Sequence, residues 1–202
     1  MTPWDQRLAV RVAGPVGRLG ISPNMVTTFG LLIGLLAGYL FSIGDPAISN
    51  WAALAFVYAV FNDHIDGEVA RVTGKSSEFG AMYDHVGSGT SYVAMFVGAG
   101  YGLSGDELGG WAVPLGLAAG ISVTFIFFIR TWIERVEGRD AIHQSSFLGF
   151  EIEDTLYIVG PITWFGWLEP FILLSGIGTP LFLIYVLYDA GRVVKARRRA
   201  RV

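Results

Sequence analysis

The chain lacks cysteine and is poor in charged residues. None of its 202 residues is a cysteine, which excludes disulfide bonds and thiolate metal sites. Charged residues make up 15% of the chain and hydrophobic residues 52%. Soluble domains usually contain about 25% charged residues, so the composition favours an integral membrane protein. The length suits one domain rather than two.

Six apolar stretches have roughly the 20-residue length that a bilayer requires. They are Met25–Ile43, Trp51–Val69, Ala81–Tyr101, Trp111–Ile129, Leu156–Trp167 and Phe171–Leu187. The fifth is short and is interrupted by Gly160 and Pro161. The 27 glycines suit membrane helices, because small residues let helix backbones approach closely. We predict an all-α integral membrane protein with six transmembrane helices over residues 25–188, all within a single membrane domain spanning 1–202.

The opening segment has no hydrophobic region of the kind found in a cleavable signal peptide, so none is expected. Instead, Arg7, Arg11 and Arg18 lie on roughly one face of a predicted helix over Pro3–Leu19. A basic face beside apolar residues is typical of a helix that lies in the membrane interface. We therefore predict an interfacial amphipathic helix within residues 1–20.

Basic residues are missing from one side of the predicted topology. With six spans, all 14 Lys and Arg fall on the side of the termini, and the opposite loops carry acids such as Asp45, Asp106 and Glu169. The positive-inside rule then predicts a multi-pass protein of the inner or cell membrane with cytosolic termini. The basic tail, residues 189–202, is interpreted as an anchor to anionic membrane lipids rather than a nucleic-acid site.

Three acids lie at membrane depth, where ionisable side chains are costly and mark functional sites. Asp63 and Asp66 share one helical face, and Asp84 and Ser88 form a stripe on the next helix. Facing stripes of this kind form an oxygen-rich pocket that suits Mg²⁺ or Mn²⁺ together with substrate phosphates. The alternative, that the acids only pair with bases at helix ends, does not explain the facing stripes.

Small residues on the same helices leave room for a ligand. Gly67, Ala70 and Gly80 recur at the turns between the acids. Arg71 follows directly and can meet a phosphate with its planar guanidinium fork.

These residues form a pattern. Asp63-x-x-Asp66-Gly67-x-x-Ala70-Arg71, then Gly80 and Asp84 at fixed spacing, resembles the signature of the CDP-alcohol phosphotransferase family. Ser22–Thr27 resembles the start of that family's first span, and Ser77–Ala81 its approach to the third. Beyond about residue 105 the resemblance is only general.

The resemblance implies a transferase of phospholipid biosynthesis. Such an enzyme binds a CDP-linked alcohol such as CDP-diacylglycerol, transfers the phosphoalcohol group to an acceptor hydroxyl and releases CMP. It also implies a homodimer and a cytosol-facing site with Mg²⁺ or Mn²⁺ at two positions. The implied metal ligands are Asp63, Asp66 and Asp84. The implied nucleotide or substrate contacts are Pro23, Asn24, Thr27, Gly67, Ala70, Arg71, Lys75 and Gly80.

One position departs from the signature. The family has a further Asp four residues after Asp84, a second-metal ligand and general base, and this chain has Ser88. A serine hydroxyl is not basic near neutral pH, and general-base catalysis is worth about 10²–10⁴-fold in rate. The second metal site is therefore expected to be weaker.

Three explanations for Ser88 stay open. Another residue, His85 or His64, acts as the base. The chain binds nucleotide or lipid as a scaffold without turnover. Or Ser88 was introduced to trap a substrate.

The acceptor site is less clearly marked. Arg130 and Arg192, with Arg135 and Arg139, lie at predicted cytosolic helix ends, where they either bind an acceptor phosphate or only anchor the topology. The acids Glu151, Glu153 and Asp154 either complement a helix N-terminus or face a cationic or polyhydroxyl acceptor. The donor lipid and the acceptor alcohol stay open.

Overall fold

The structure, a computed structural model, describes the backbone of residues 4–137 and 153–200 and the side chains of residues 7–133 and 155–195. Arg139 and Glu151 lie outside the described residues, as do the side chains of Arg135, Glu153 and Asp154. The α-helices are α1 Trp4–Arg18, α2 Pro23–Ser42, α3 Pro46–Thr73, α4 Glu78–Gly102, α5 Ala112–Glu137, α6 Val159–Trp164 and α7 Leu168–Ala200. Short 3₁₀ helices, Gly109–Trp111 and Glu153–Ile158, precede α5 and α6. The described segments thus form the all-helical fold that was predicted.

Local signals set the helix boundaries near the site. The side chains of Ser22, Asp45 and Ser77 each accept a backbone N–H at the start of α2, α3 and α4, which satisfies an otherwise unpaired donor of the first turn. Gly74 ends α3 with a φ of 66°, a conformation that glycine adopts without steric cost. Consequently α3 and α4 are joined by a short turn and run in opposite directions.

Within the described residues, three segments are long and apolar enough to cross a membrane: Pro23–Ser42, Gly109–Ile133 and Leu168–Lys195. The helices α3 and α4 are long enough, at 28 and 25 residues, but their acids and small polar residues lower their hydropathy. Many large apolar side chains point outward, including Leu32, Phe125 and Leu174, as expected for lipid-facing surfaces. The predicted count of six spans stays a prediction.

The predicted fifth span differs most from expectation. Residues 153–164 form a short 3₁₀ segment followed by the six-residue helix α6. Gly166, with a φ of 74°, ends α6, and its N–H donates to Thr163 O at 3.0 Å. The next residues then start α7, which continues as a helix through the predicted basic tail to Ala200.

Glycines allow close packing at the end of the bundle away from the acids. A Cβ placed on Gly38 would lie 2.5 Å from the carbonyl oxygen of Ala94, and one on Gly98 would overlap the backbone of Gly38. The helices α2 and α4 therefore touch backbone to backbone. The main apolar core, which includes Phe41, Phe56 and Phe96, surrounds this crossing.

The helix α1 packs on the part of α3 that carries the acids. Ala9 and Ala13 of α1 are fully buried in a small cluster with Val26, Ile65 and Val69. Arg7, Arg11 and Arg18 are exposed, in keeping with the predicted amphipathic pattern. The acid-bearing turns of α3 are thus supported from behind by α1.

Candidate functional site

The predicted acids meet at one end of the bundle, where α3 ends and α2 and α4 begin. A single cavity is lined by side chains of these three helices, among them Thr27, Asp63, Asp66, Asp84 and Ser88. The i, i+3 spacing on α3 and the i, i+4 spacing on α4 turn these residues to facing sides, as the sequence pattern predicted. The cavity continues inward past Gly30, Asn62 and Ser91.

Asp66 is the most enclosed of the three carboxylates. Its exposed fraction is 4%, and Thr27 Oγ1 of α2 donates to its Oδ2 at 2.6 Å. Asp63 and Asp84 lie near enough to Asp66 to interact with it electrostatically. A carboxylate buried this deeply requires hydrogen-bond donors or a cation, and Thr27 provides one such donor.

Asp63 has a comparable partner on α4. The hydroxyl of Ser88 donates to Asp63 Oδ1, so the residue that replaces the fourth signature carboxylate contacts the first one. Ser88 thus acts as a donor toward α3 in this arrangement. An aspartate at the same place would add a negative charge beside Asp63 instead.

The three carboxylates form a donor set whose chemistry suits a divalent cation. Three carboxylates in one cavity are the hard oxygen ligands that Mg²⁺ and Mn²⁺ prefer, so the chemistry fits. Within the described part of the chain, however, no three Asp, Glu or His side chains are gathered closely enough to enclose a metal ion. Two of the carboxylates each accept a hydroxyl hydrogen bond. Enclosing a cation would therefore require side-chain rotation within the cavity.

Arg71 lies at the rim and outside the cavity lining. Its guanidinium makes two contacts with Glu68 on the same helix, Nη2 to Oε1 at 2.6 Å and Nε to Oε2 at 3.1 Å. A Cβ placed on Gly67 would meet only Arg71 Nη2, at 3.8 Å. The space beside Gly67 is therefore open, and Ala70 is half-buried one turn further along. The ligand contacts of both residues stay predictions. Lys75 is exposed after α3.

The starts of α2 and α4 lie side by side. A Cβ placed on Gly80 would lie 3.2 Å from Asn24 Oδ1, so the glycine permits this approach. Pro23 is at the first turn of α2, and its carbonyl oxygen lies 3.1 Å from Thr27 Oγ1. The structure thus brings Pro23, Asn24, Thr27 and Gly80 to the same end of the bundle as the acids.

The remaining predicted residues do not line the cavity. His85 Nδ1 is 3.9 Å from Asp84 Oδ2, and His64 is half-buried next to Asp63. The guanidinium carbon of Arg130 lies 5.5 Å from the ring centre of Phe182, which links α5 to α7. Arg192 is exposed on α7.

Asn62, which lines the same cavity, was not predicted from the sequence. Asn62 is buried, and its Nδ2 donates to Val26 O at 2.8 Å, tying α3 to α2 one residue before Thr27. Its position one helical turn before Asp66 was the feature of the sequence that could have indicated it. Its partner is a backbone oxygen 36 residues away, which no side-chain pattern reveals.

The sequence is similar to a known protein family and to several known proteins. A model of the CDP-alcohol phosphatidyltransferase family matches residues 20–166, well over half of the chain. An archaetidylinositol phosphate synthase of Pyrococcus horikoshii is 39% identical over 74 residues, which cover 37% of this chain and 38% of that protein. A phosphatidylinositol phosphate synthase of Mycolicibacterium smegmatis is 30% identical over 107 residues, covering 50% and 47%. The match therefore spans less than two thirds of either relative.

Solved structures show the same fold. The phosphatidylinositol phosphate synthase of Mycobacterium tuberculosis with CDP-DAG bound superposes with a TM-score of 0.62, at 21% identity, over 94% of this chain and 92% of that one. The same enzyme in complex with manganese and citrate also gives a TM-score of 0.62, over 93% and 87%.

Proposed function

The chain belongs to the CDP-alcohol phosphatidyltransferase family, and we propose that it transfers a phosphoalcohol group from a CDP-linked alcohol to an acceptor hydroxyl, releasing CMP. Members of this family are transferases that act in membranes on the route to phospholipids. The named relatives with such activities suggest a CDP-linked lipid as donor, and CDP-diacylglycerol is the donor we propose.

One observation carries the proposal. Asp63, Asp66 and Asp84, three of the four acids of the signature, line one cavity at the end of the bundle where α2 and α4 begin. Since acids inside a membrane bundle are costly, their placement in a shared cavity favours a ligand that needs them. A nucleotide diphosphate with its divalent cation is such a ligand.

We assign roles to the residues accordingly. Asp63, Asp66 and Asp84 would hold Mg²⁺ or Mn²⁺, which would neutralise negative charge on the transferring phosphate. The open space beside Gly67 would take the nucleotide. Arg71 would have to leave Glu68 to contact a phosphate; the arginine side chain is 63% exposed, whereas that of Glu68 is 13% exposed.

The setting of the site is also part of the proposal. The apolar helices support a multi-pass membrane protein, and the distribution of basic residues supports a site on the cytosolic side. A homodimer and acceptor contacts by Arg130 and Arg192 stay predictions.

Ser88 favours a second candidate function. Its hydroxyl donates to Asp63 and supplies neither the negative charge nor the proton acceptor of an aspartate. A chain that binds a CDP-linked lipid with metal and turns it over slowly, or not at all, fits this replacement. His85 is the nearest alternative base, since it lies next to Asp84.

Release of CMP distinguishes the two functions. The purified chain in lipid is given Mn²⁺ or Mg²⁺, CDP-diacylglycerol and a panel of acceptor alcohols. Release that requires metal, and is lost in Asp63→Asn but kept in Asp106→Asn, supports the transferase, because Asp106 lies in the turn at the opposite end of the bundle. Binding of CDP without any release supports the second function. Absence of both binding and release contradicts the two together.

A further inference from the structure

Thr27 lies on α2, and its side chain contacts a carboxylate of α3. Its side chain has an exposed fraction of 6%. Its Oγ1 lies 2.6 Å from Asp66 Oδ2 and 3.1 Å from Pro23 O. A hydroxyl has one proton to donate, so only one of these contacts receives it at a time.

The carboxylate is the stronger acceptor of the two. Threonine inside a helix commonly donates to the carbonyl four residues earlier, which here is Pro23 O. That carbonyl already lies in reach of the backbone N–H of residue 27 in a regular α-helix. Hydrogen bonds to charged acceptors are also shorter and stronger than neutral ones, and the distance to Asp66 is the shorter one.

The neighbouring contacts fix where this hydroxyl lies. Asn62 donates to the carbonyl oxygen of Val26, the residue before Thr27. A Cβ placed on Gly30 would lie 2.5 Å from Asn62 Nδ2, so glycine is what lets the amide reach α2. Together Gly30 and Asn62 hold α2 against α3 at the turn that carries Asp66.

We propose that Thr27 is a positioning residue that holds one oxygen of Asp66 toward α2 and so orients the carboxylate in the cavity that it shares with Asp63 and Asp84. This assignment rests on the proposed function, because it assumes that Asp66 binds a cation. It is separate from the nucleotide contact that the family resemblance implies for Thr27. Residues that orient metal ligands typically change metal affinity by about 10–100-fold when they are removed.

Binding of Mn²⁺ alone, without nucleotide, tests the proposal. The full chain in lipid nanodiscs is titrated with Mn²⁺, and free ion is followed by electron paramagnetic resonance. Thr27→Val removes the hydroxyl and keeps the shape, Thr27→Ser keeps the hydroxyl, and Thr27→Ala is a second hydroxyl-free variant if valine prevents folding. Thr163→Val is the matched control, because Thr163 is equally buried at 7% and donates only to Val159 O within α6.

We expect Thr27→Val and Thr27→Ala to bind Mn²⁺ about 10–100-fold more weakly, with Thr27→Ser and Thr163→Val close to wild type. A thermal melt of each variant separates this effect from a loss of stability, which a merely structural threonine would cause at either position. Mn²⁺ binding as tight as wild type in folded Thr27→Val overturns the positioning role alone. A wild-type chain that binds no Mn²⁺ overturns the proposed function and this role with it.

Discussion

The helices α2, α3 and α4 are joined differently at their two ends. At the end with the carboxylates, side-chain hydroxyl and amide groups connect them: Thr27 to Asp66, Ser88 to Asp63, and Asn62 to the backbone of α2. At the opposite end, Gly38 and Gly98 bring the backbones of α2 and α4 into contact. Polar contacts of the first kind can be exchanged for contacts to a ligand, whereas backbone packing cannot. We therefore expect ligand-dependent rearrangement at the polar end and little change at the glycine crossing.

The largest effect is expected from restoring the missing carboxylate at the polar end. Ser88→Asp should raise the rate of CMP release by about 10²–10⁴-fold, the usual contribution of a general base. Ser88→Asn is the matched control, since it has nearly the same size and no charge. The rate is measured with saturating metal and CDP-diacylglycerol.

An unchanged rate of CMP release in folded Ser88→Asp, with nucleotide binding intact, would mean that the missing carboxylate at position 88 does not limit the reaction. Another residue would then act as the base, or the acceptor site would be absent.

A smaller effect is expected at the glycine crossing. Gly98→Ala places a methyl group against the backbone of Gly38, which cannot rotate away as a side chain can. Overpacking of this kind costs about 1–3 kcal/mol of stability. Thermal unfolding in mild detergent measures the loss, and Gly178→Ala on α7 is the control because nothing lies within 4 Å of its added Cβ. Equal melting temperatures for both variants would contradict close packing of α2 on α4.

The smallest effect is expected at the rim of the polar end. Glu68→Gln breaks the pair with Arg71, whose side chain is 63% exposed. The Glu68 side chain is only 13% exposed, but glutamine fills the same space without the charge. Because the arginine end is in solvent, stability should change by about 0–1 kcal/mol, and Arg71 should become more available to phosphate. A loss well above that range in the same unfolding assay would show that the pair has a structural role.

Much of this architecture follows from local patterns. Long apolar stretches predict helices, and the helix starts coincide with Ser22, Asp45 and Ser77 because each caps the first turn of its own helix. The i, i+3 and i, i+4 spacing of Asp63, Asp66 and Asp84 predicts that they share one cavity, and they do. The fifth span could not be predicted in this way. There the chain turns at Gly166, which has a φ of 74°, and enters α7.

The residue sequence alone thus determined the helices, their apolar faces and the placement of three acids on two helix faces, because these properties depend on neighbours within one or two turns. Which hydroxyl meets which acid was decided only when the helices packed. Thr27 and Asp66 are 39 residues apart, and Ser88 and Asp63 are 25 apart. A hydrogen bond requires its two atoms to come within about 3 Å, and that proximity depends on the crossing of α2, α3 and α4, which the glycines permit.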